Sequence, residues 1–272
     1  MTNCPRVKKS IFIFCLFCLA FANIYAQPKN RLSVGVGFGI AAPMGKFGNT
    51  DLFDSTSAFA VTGPAFNIEG NYHLNKYVGF SLLLTGQQNQ VDTKTMVNKY
   101  QKAVYGAFFN ISSGDWNIGK IMGGVTLSLP LGDKQKINLF LRIMAGGLKT
   151  TFPKITVTEV YYVDSLGSIG MSQFTKDKVP LKWAFAYLVG MGIRYNLSAG
   201  YFLHATIDYS AASPSVPNYP LRTRAFQPGA YAITGNPYPI FSTTPIVATQ
   251  NSTTFKQPVH SMNICVGIGI NF

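Results

Sequence analysis

From residue 31 to residue 272 the chain repeats one pattern. A run in which every second side chain is apolar is followed by a link whose length switches strictly between short and long. A period of two belongs to β-strands, whose successive side chains point to opposite faces; a helix would need apolar residues three and four apart. The first run, "RLSVGVGFGIA", sets Leu32, Val34, Val36, Phe38 and Ile40 against Ser33, Gly35, Gly37 and Gly39. "AFNIEGNYHL" sets Phe66, Ile68 and Tyr72 against Asn67, Glu69, Asn71 and His73. "YVGFSLLLTGQ", "WNIGKIMGGVTLSLP", "KINLFLRIMAGG", "KWAFAYLVGMGIRYN" and "YFLHATIDYS" continue it. In the eighth run, "HSMNICVGIGINF", Met262, Ile264, Val266, Ile268, Ile270 and Phe272 alternate with small and polar residues.

The short links are 74–76, 131–135 and 197–200; the long ones are about 42–58, 88–114, 151–181 and 211–258. A chain running up and down in this way collects every long link at one end. That layout, with the apolar face towards lipid and the small or polar face inside, is the layout of an antiparallel transmembrane up-and-down β-barrel. A β-sandwich would also show many short strands, but it has no reason to gather all its long loops at one end. The fold class expected is therefore all-β, a transmembrane barrel of eight strands over residues 27–272.

Arg6, Lys8 and Lys9 precede the apolar "SIFIFCLFCLAFA", and Ala26 stands at a small-residue cleavage point. This predicts a secretory signal peptide over residues 1–26. The apolar run is too short to cross about 30 Å of hydrocarbon as a helix. Cys15 and Cys18 lack the preceding Leu-small-small pattern of lipoprotein processing. Removing the segment leaves Cys265 as the one thiol, which excludes an internal disulfide and a cysteine zinc cluster. The net charge of +13 falls by three, to about +10. The basic residues are scattered, with no basic helix or cluster of the kind that reads nucleic acid. The expected location is the outer membrane of a Gram-negative bacterium, with no nucleic-acid partner.

The signal segment, the eight runs and a last strand closing on Phe272 resemble the small outer-membrane β-barrel proteins of the PorT type, found in Bacteroidetes-like bacteria. More widely they resemble the eight-stranded OmpA-type and OmpX-type barrels. The resemblance covers the whole expected mature chain and rests on pattern, not on a catalytic motif. It implies that Phe272 is an assembly signal read by the barrel-assembly machinery. It also implies outer-membrane lipid and lipopolysaccharide as surroundings, an unidentified extracellular or periplasmic partner, and a secretion-related role.

At eight strands the interior is just wide enough for side chains to fill. The inward parity carries Glu69, Arg142, Arg194, His204 and Asp208, and opposite charges there should pair, because an unpaired buried charge is costly. A salt-bridged plug is the expected arrangement; a narrow transport channel is the alternative. The only histidines are His73, His204 and His260. His260 falls on the outward parity near the outer rim, where a lipid-modifying base would sit, but no Ser and acid are spaced to work with it. No catalytic residue, metal or cofactor is expected. "GVGFG" (35–39) lies within a strand with no helix after it, so lumen-facing glycines explain it better than a dinucleotide loop. Specific binding should then belong to the long loops. The stretch "KITVTEVYYVDSLGSIGMSQF" alternates, turns and alternates again, predicting a hairpin beyond the membrane. The last long link is rich in Pro and Tyr, and Tyr219, Arg222, Arg224, Phe226 and Tyr238 are its candidate contacts for a sugar or a protein.

Overall fold

The computed structural model describes residues 31–104, 107–132, 136–162, 169–197, 200–217, 221–225, 246–248 and 255–272. The expected signal segment 1–26 lies outside the described residues. The elements run β1 (Leu32–Met44), β2 (Gly63–His73), β3 (Val78–Asn89), α1 (Thr93–Ala103), β4 (Ala107–Ser113), β5 (Trp116–Leu131) and β6 (Ile137–Phe152). They continue with β7 (Ile155–Tyr162), β8 (Ile169–Lys176), β9 (Val179–Pro180), β10 (Ala184–Asn196), β11 (Tyr201–Ala212) and β12 (Ser215–Val216). The last are β13 (Leu221–Ala225), β14 (Ile246–Ala248), β15 (Phe255–Lys256) and β16 (Val259–Asn271).

Eight strands close a barrel in the order β10, β11, β16, β1, β2, β3, β5, β6, with β6 pairing back to β10 and every pairing antiparallel. These are the eight alternating runs of the sequence. The apolar parity faces out all the way round: Phe38 is 69% exposed, Phe185 72% and Val266 65%. A continuous apolar band of this kind is stable only against hydrocarbon, and the closed ring leaves no strand edge unpaired in it. Several strands run further outward than the pattern suggested, β1 to Met44 and β11 to Ala212 among them. β3 reaches Asn89 and β6 reaches Phe152, because Gln87, Asn89, Thr150 and Phe152 keep the inward parity and are buried.

Beyond the barrel the long links build a second sheet, ordered β14, β13, β8, β7, β4. Its centre, the β7–β8 hairpin, is the one the alternation indicated. Its flanks come from two other links: β4 from the second, and β13 with β14 from the fourth. The second link also contains α1, which corrects the reading that the chain has no basic helix: α1 carries Lys94, Lys99 and Lys102 and no acid. Asp92 caps it, accepting from the Thr95 backbone N–H at 3.0 Å and from the Thr95 hydroxyl at 2.7 Å. Met96 is buried and Val97 and Tyr100 pack on the core, so one narrow stripe holds the helix down.

Candidate functional site

Strand parity points Glu69 of β2, Arg142 of β6, Arg194 of β10, and His204 and Asp208 of β11 into the lumen, and all five are buried. The register places Arg142 opposite Gly190, which in turn stands opposite Asp208. The guanidinium therefore reaches across a residue with no side chain. Its Nε donates to Asp208 Oδ1 at 2.8 Å, its Nη2 donates to Asp208 Oδ2, and its Nη1 donates to Glu69 Oε2 at 2.9 Å. Arg194 Nη2 donates to the other Glu69 oxygen at 3.2 Å, and its Nη1 donates to Ser33 Oγ at 3.2 Å. His204 Nδ1 lies 3.7 Å from Glu69 Oε1. Two carboxylates thus serve two arginines, with a bidentate fork at the centre, the geometry in which buried charge is best compensated.

The inward glycines are seats for these groups. A Cβ at Gly190 would fall 1.9 Å from Asp208 Oδ1, and one at Gly267 would fall 2.5 Å from His204 Nε2. The "GVGFG" stretch lies in β1 beside them, where Gly37 faces His204 and Asn67.

A further charged residue of the lumen, Lys120 on β5, did not stand out in the sequence. Its parity was the available signal, since it alternates with the apolar Ile121, Val125 and Leu127 of its run and so shares the face of Met122, Thr126 and Ser128. Its Nζ donates to Gln87 Oε1 at 2.8 Å, Ser210 Oγ at 2.6 Å and Ser261 Oγ at 3.0 Å, so three neutral oxygens hold a buried ammonium. Outward of this layer the lumen becomes apolar, lined by Trp116, Ile118, Leu148 and Leu188. The loops complete it: Phe47, Ala58 and Phe59 come from the first long link, Val91 and Met96 from the second, and Val216 from the fourth. Trp116 is its pivot, edge-on to Phe47 at 5.5 Å and to Phe152 at 5.0 Å, with its indole N–H donating to the Ala58 carbonyl at 3.3 Å. The barrel mouth on the long-link side is therefore packed with apolar side chains from three of the long links.

The second sheet sits on this cap. Ile155 and Val157 pack against the core, Ile111 is buried in it, and Phe109 lies 5.4 Å from the Tyr100 ring of α1. Lys176 is on the same side, its Nζ 3.8 Å from the centre of the Phe152 ring, and burial lowers its pKa to about 8. The opposite side carries Asn110, Ser112, Thr156, Thr158, Gln173 and Thr175, which are exposed or half-buried.

Of the loop candidates, Arg222 and Arg224 lie on β13, paired with Thr175 and Gln173. Tyr219, Phe226 and Tyr238 lie outside the described residues. Phe272 is 63% exposed at the short-turn end, its N–H donating to the Leu32 carbonyl at 2.7 Å beside the β1–β16 closure. Two of the three histidines flank the charged cluster and the third stands apart from it. His204 is in the plug, His73 Nε2 lies 3.5 Å from Arg194 Nη1, and His260 Nδ1 lies 3.2 Å from the Tyr209 hydroxyl.

A closed antiparallel barrel with an apolar outer band, a filled lumen and its long links at one end is an outer-membrane β-barrel, and the outer membrane is its location. The sequence matches the outer membrane protein beta-barrel domain over residues 12–231, and the chain belongs to that family. No curated protein matches it. Among solved structures it is similar to Neisserial surface protein A, with 10% identity and a TM-score of 0.45 over 89% of this chain and 97% of that one. It is also similar to OprG of Pseudomonas aeruginosa, with 11% identity and a TM-score of 0.44 over 92% and 99%. Ail, the attachment invasion locus protein of Yersinia pestis, follows with 10% identity and a TM-score of 0.40 over 90% and 100%.

Proposed function

We propose that the protein is a non-enzymatic barrel that anchors a surface-binding platform in the outer membrane. The observation that carries this reading is the double closure of the lumen. The Glu69–Arg142–Asp208 cluster bridges the lumen from β2 to β6 and β11, and the Trp116 core packs the mouth above it. Neither layer offers a solute a continuous polar route. The same core that shuts the mouth also fixes the five-stranded sheet in place, so the long links form a folded surface, which suits recognition. The secretion-related role of PorT-type proteins would use that surface to engage its partner. Phe272, beside the closing pair of strands, would serve the assembly machinery.

Full-length protein reconstituted in planar bilayers tests the reading. It should show no discrete conductance steps, and lipid A should have the same composition in cells with and without the protein. Steady single-channel steps would replace the anchor by a channel, and altered lipid A would make the protein an enzyme.

A further inference from the structure

We infer that the outward side of the five-stranded sheet binds an acidic polysaccharide. This rests on the surface-binding reading above and names the partner class. Register aligns three rows across the strands. Ser112, Thr156 and Thr175 form one row, extended by the position of Arg222. Asn110, Thr158 and Gln173 form the next, extended by the position of Arg224. Phe108, Val160 and Met171 form the third. Adjacent strands lie about 4.8 Å apart, so each polar row of four positions is a ladder about 14 Å long.

The rungs hold each other only loosely. Thr156 Oγ1 and Thr175 Oγ1 are 3.4 Å apart, and Gln173 Nε2 is 3.4 Å from Thr158 Oγ1. Both distances are at the long limit of a hydrogen bond, so these hydroxyls and amides keep donors and acceptors for a ligand. A sugar offers hydroxyls at its edge and a C–H face on its ring. The two polar rows match the first, and Phe108, 61% exposed at their margin, matches the second. A folded protein partner would need a central cluster of large side chains that bury on docking, whereas the centre of this surface is threonine and glutamine.

The sign of the partner follows from the charges. The rows contain no carboxylate. Glu159, the acid of β7, pairs in register with Phe109 and Ser172 on the cap side, where it accepts from Ser172 Oγ at 3.2 Å. Register puts the positions of Arg222 and Arg224 next in the two rows, with Val247 of β14 beyond Arg222, and the planar fork of an arginine is suited to two-pronged binding of a carboxylate. A uronate polymer satisfies hydroxyl, ring-face and carboxylate contacts together.

Calorimetric titration of the full-length barrel in lipid nanodiscs tests this with polygalacturonate, dextran sulfate, neutral dextran and duplex DNA. Polygalacturonate should bind saturably, more weakly as salt rises, and dextran should not bind. Saturable binding of dextran sulfate as well would extend the recognised anion to sulfate esters. Thr156→Val with Thr158→Val removes two hydroxyls but keeps the branched shape, and should weaken binding on the order of ten-fold. Arg222→Gln with Arg224→Gln should weaken it and remove most of its salt dependence. Heat-modifiable gel mobility verifies that each variant barrel is folded. Equal binding of dextran, equal binding of duplex DNA, or unchanged affinity in both double variants would overturn the inference. A cell-surface protein that crosslinks equally to wild type and to both variants would overturn it too, while leaving the surface-binding reading standing. Conductance in bilayers would strike that earlier reading alone.

Discussion

Towards the short turns, Arg142 is held by carboxylates from β2 and β11; towards the long links, Trp116 is held by the rings of Phe47 and Phe152. The two sites share one lumen, yet they close it differently. The first is directional: each charge needs a partner at one place, and neither lipid nor a neighbouring apolar group can substitute. The second is cumulative, because many contacts each contribute a little and can be redistributed when one is lost. Their sources differ as well. The charged layer is built by barrel strands alone, whereas the apolar layer needs the links to fold back over the mouth. The barrel can therefore hold its lower plug without its loops, but its loops cannot hold their shape without the upper core.

The largest test removes the directional layer. Arg142→Met leaves Glu69 and Asp208 buried without their main partner and should cost about 3–5 kcal/mol in urea unfolding from detergent. Adding Asp208→Asn to the same chain, which leaves Glu69 paired with Arg194, should recover much of that loss, whereas additive losses would show the charges to be independent. Next comes the cumulative layer. Trp116→Ala should cost about 3 kcal/mol, the low end for such truncations, because the loops above can settle into the space. The variant should loosen the loops, seen as faster amide exchange in β4 and β7, and yet stay non-conducting because the charged layer is intact. Appearance of conductance would show the upper core to be the real seal.

The smallest effect belongs to the cap of α1. Asp92→Ala should cost about 1 kcal/mol, confined to the protection of α1 in hydrogen exchange. The Thr95 N–H and hydroxyl hold the Asp92 carboxyl below its usual value. A carboxyl lowered in the folded state stabilises it fully above the ordinary pKa, and loses that contribution as pH falls through the lowered one. Protection of α1 in the wild type should therefore weaken in acid, below about pH 4, while the variant should show no such step.

The barrel was legible because strand parity is strict and lipid rewards it at every turn. Residues such as Val36, Ile143 and Ile268 announce the outer face, and the charged and polar residues of the opposite parity announce the inner one. The plug charges followed from the same parity, though which acid meets which arginine needed the register that places Gly190 between Arg142 and Asp208. Lys120 was hidden by its setting, a lone basic residue among glycines and aliphatics, satisfied by serines distant in sequence. The cap was illegible for another reason. Phe47, Phe59, Met96 and Val216 lie in irregular or short elements with no period to read, and only tertiary packing assigns them to one core. The second sheet was half legible. The hairpin shows its own alternation, but its flanking strands come from other links, and no local pattern reveals a partner that far away.

The glycine seat beneath His204 also bears on how wide the barrel is. Along the outer wall nothing fixes the alignment of β16 against its neighbours, since Ile264, Val266 and Ile268 are interchangeable to lipid. A slip of two residues would pass unnoticed there, and it would change the stagger of the strands and with it the barrel's circumference. Inside, one direction of that slip would carry Cys265 to the place of Gly267, and its side chain would meet the imidazole of His204, which lies within 2.5 Å of where a Cβ would stand. His204 with Gly267 thus acts as a key and its slot, admitting the alignment that this lumen requires and rejecting the neighbouring one.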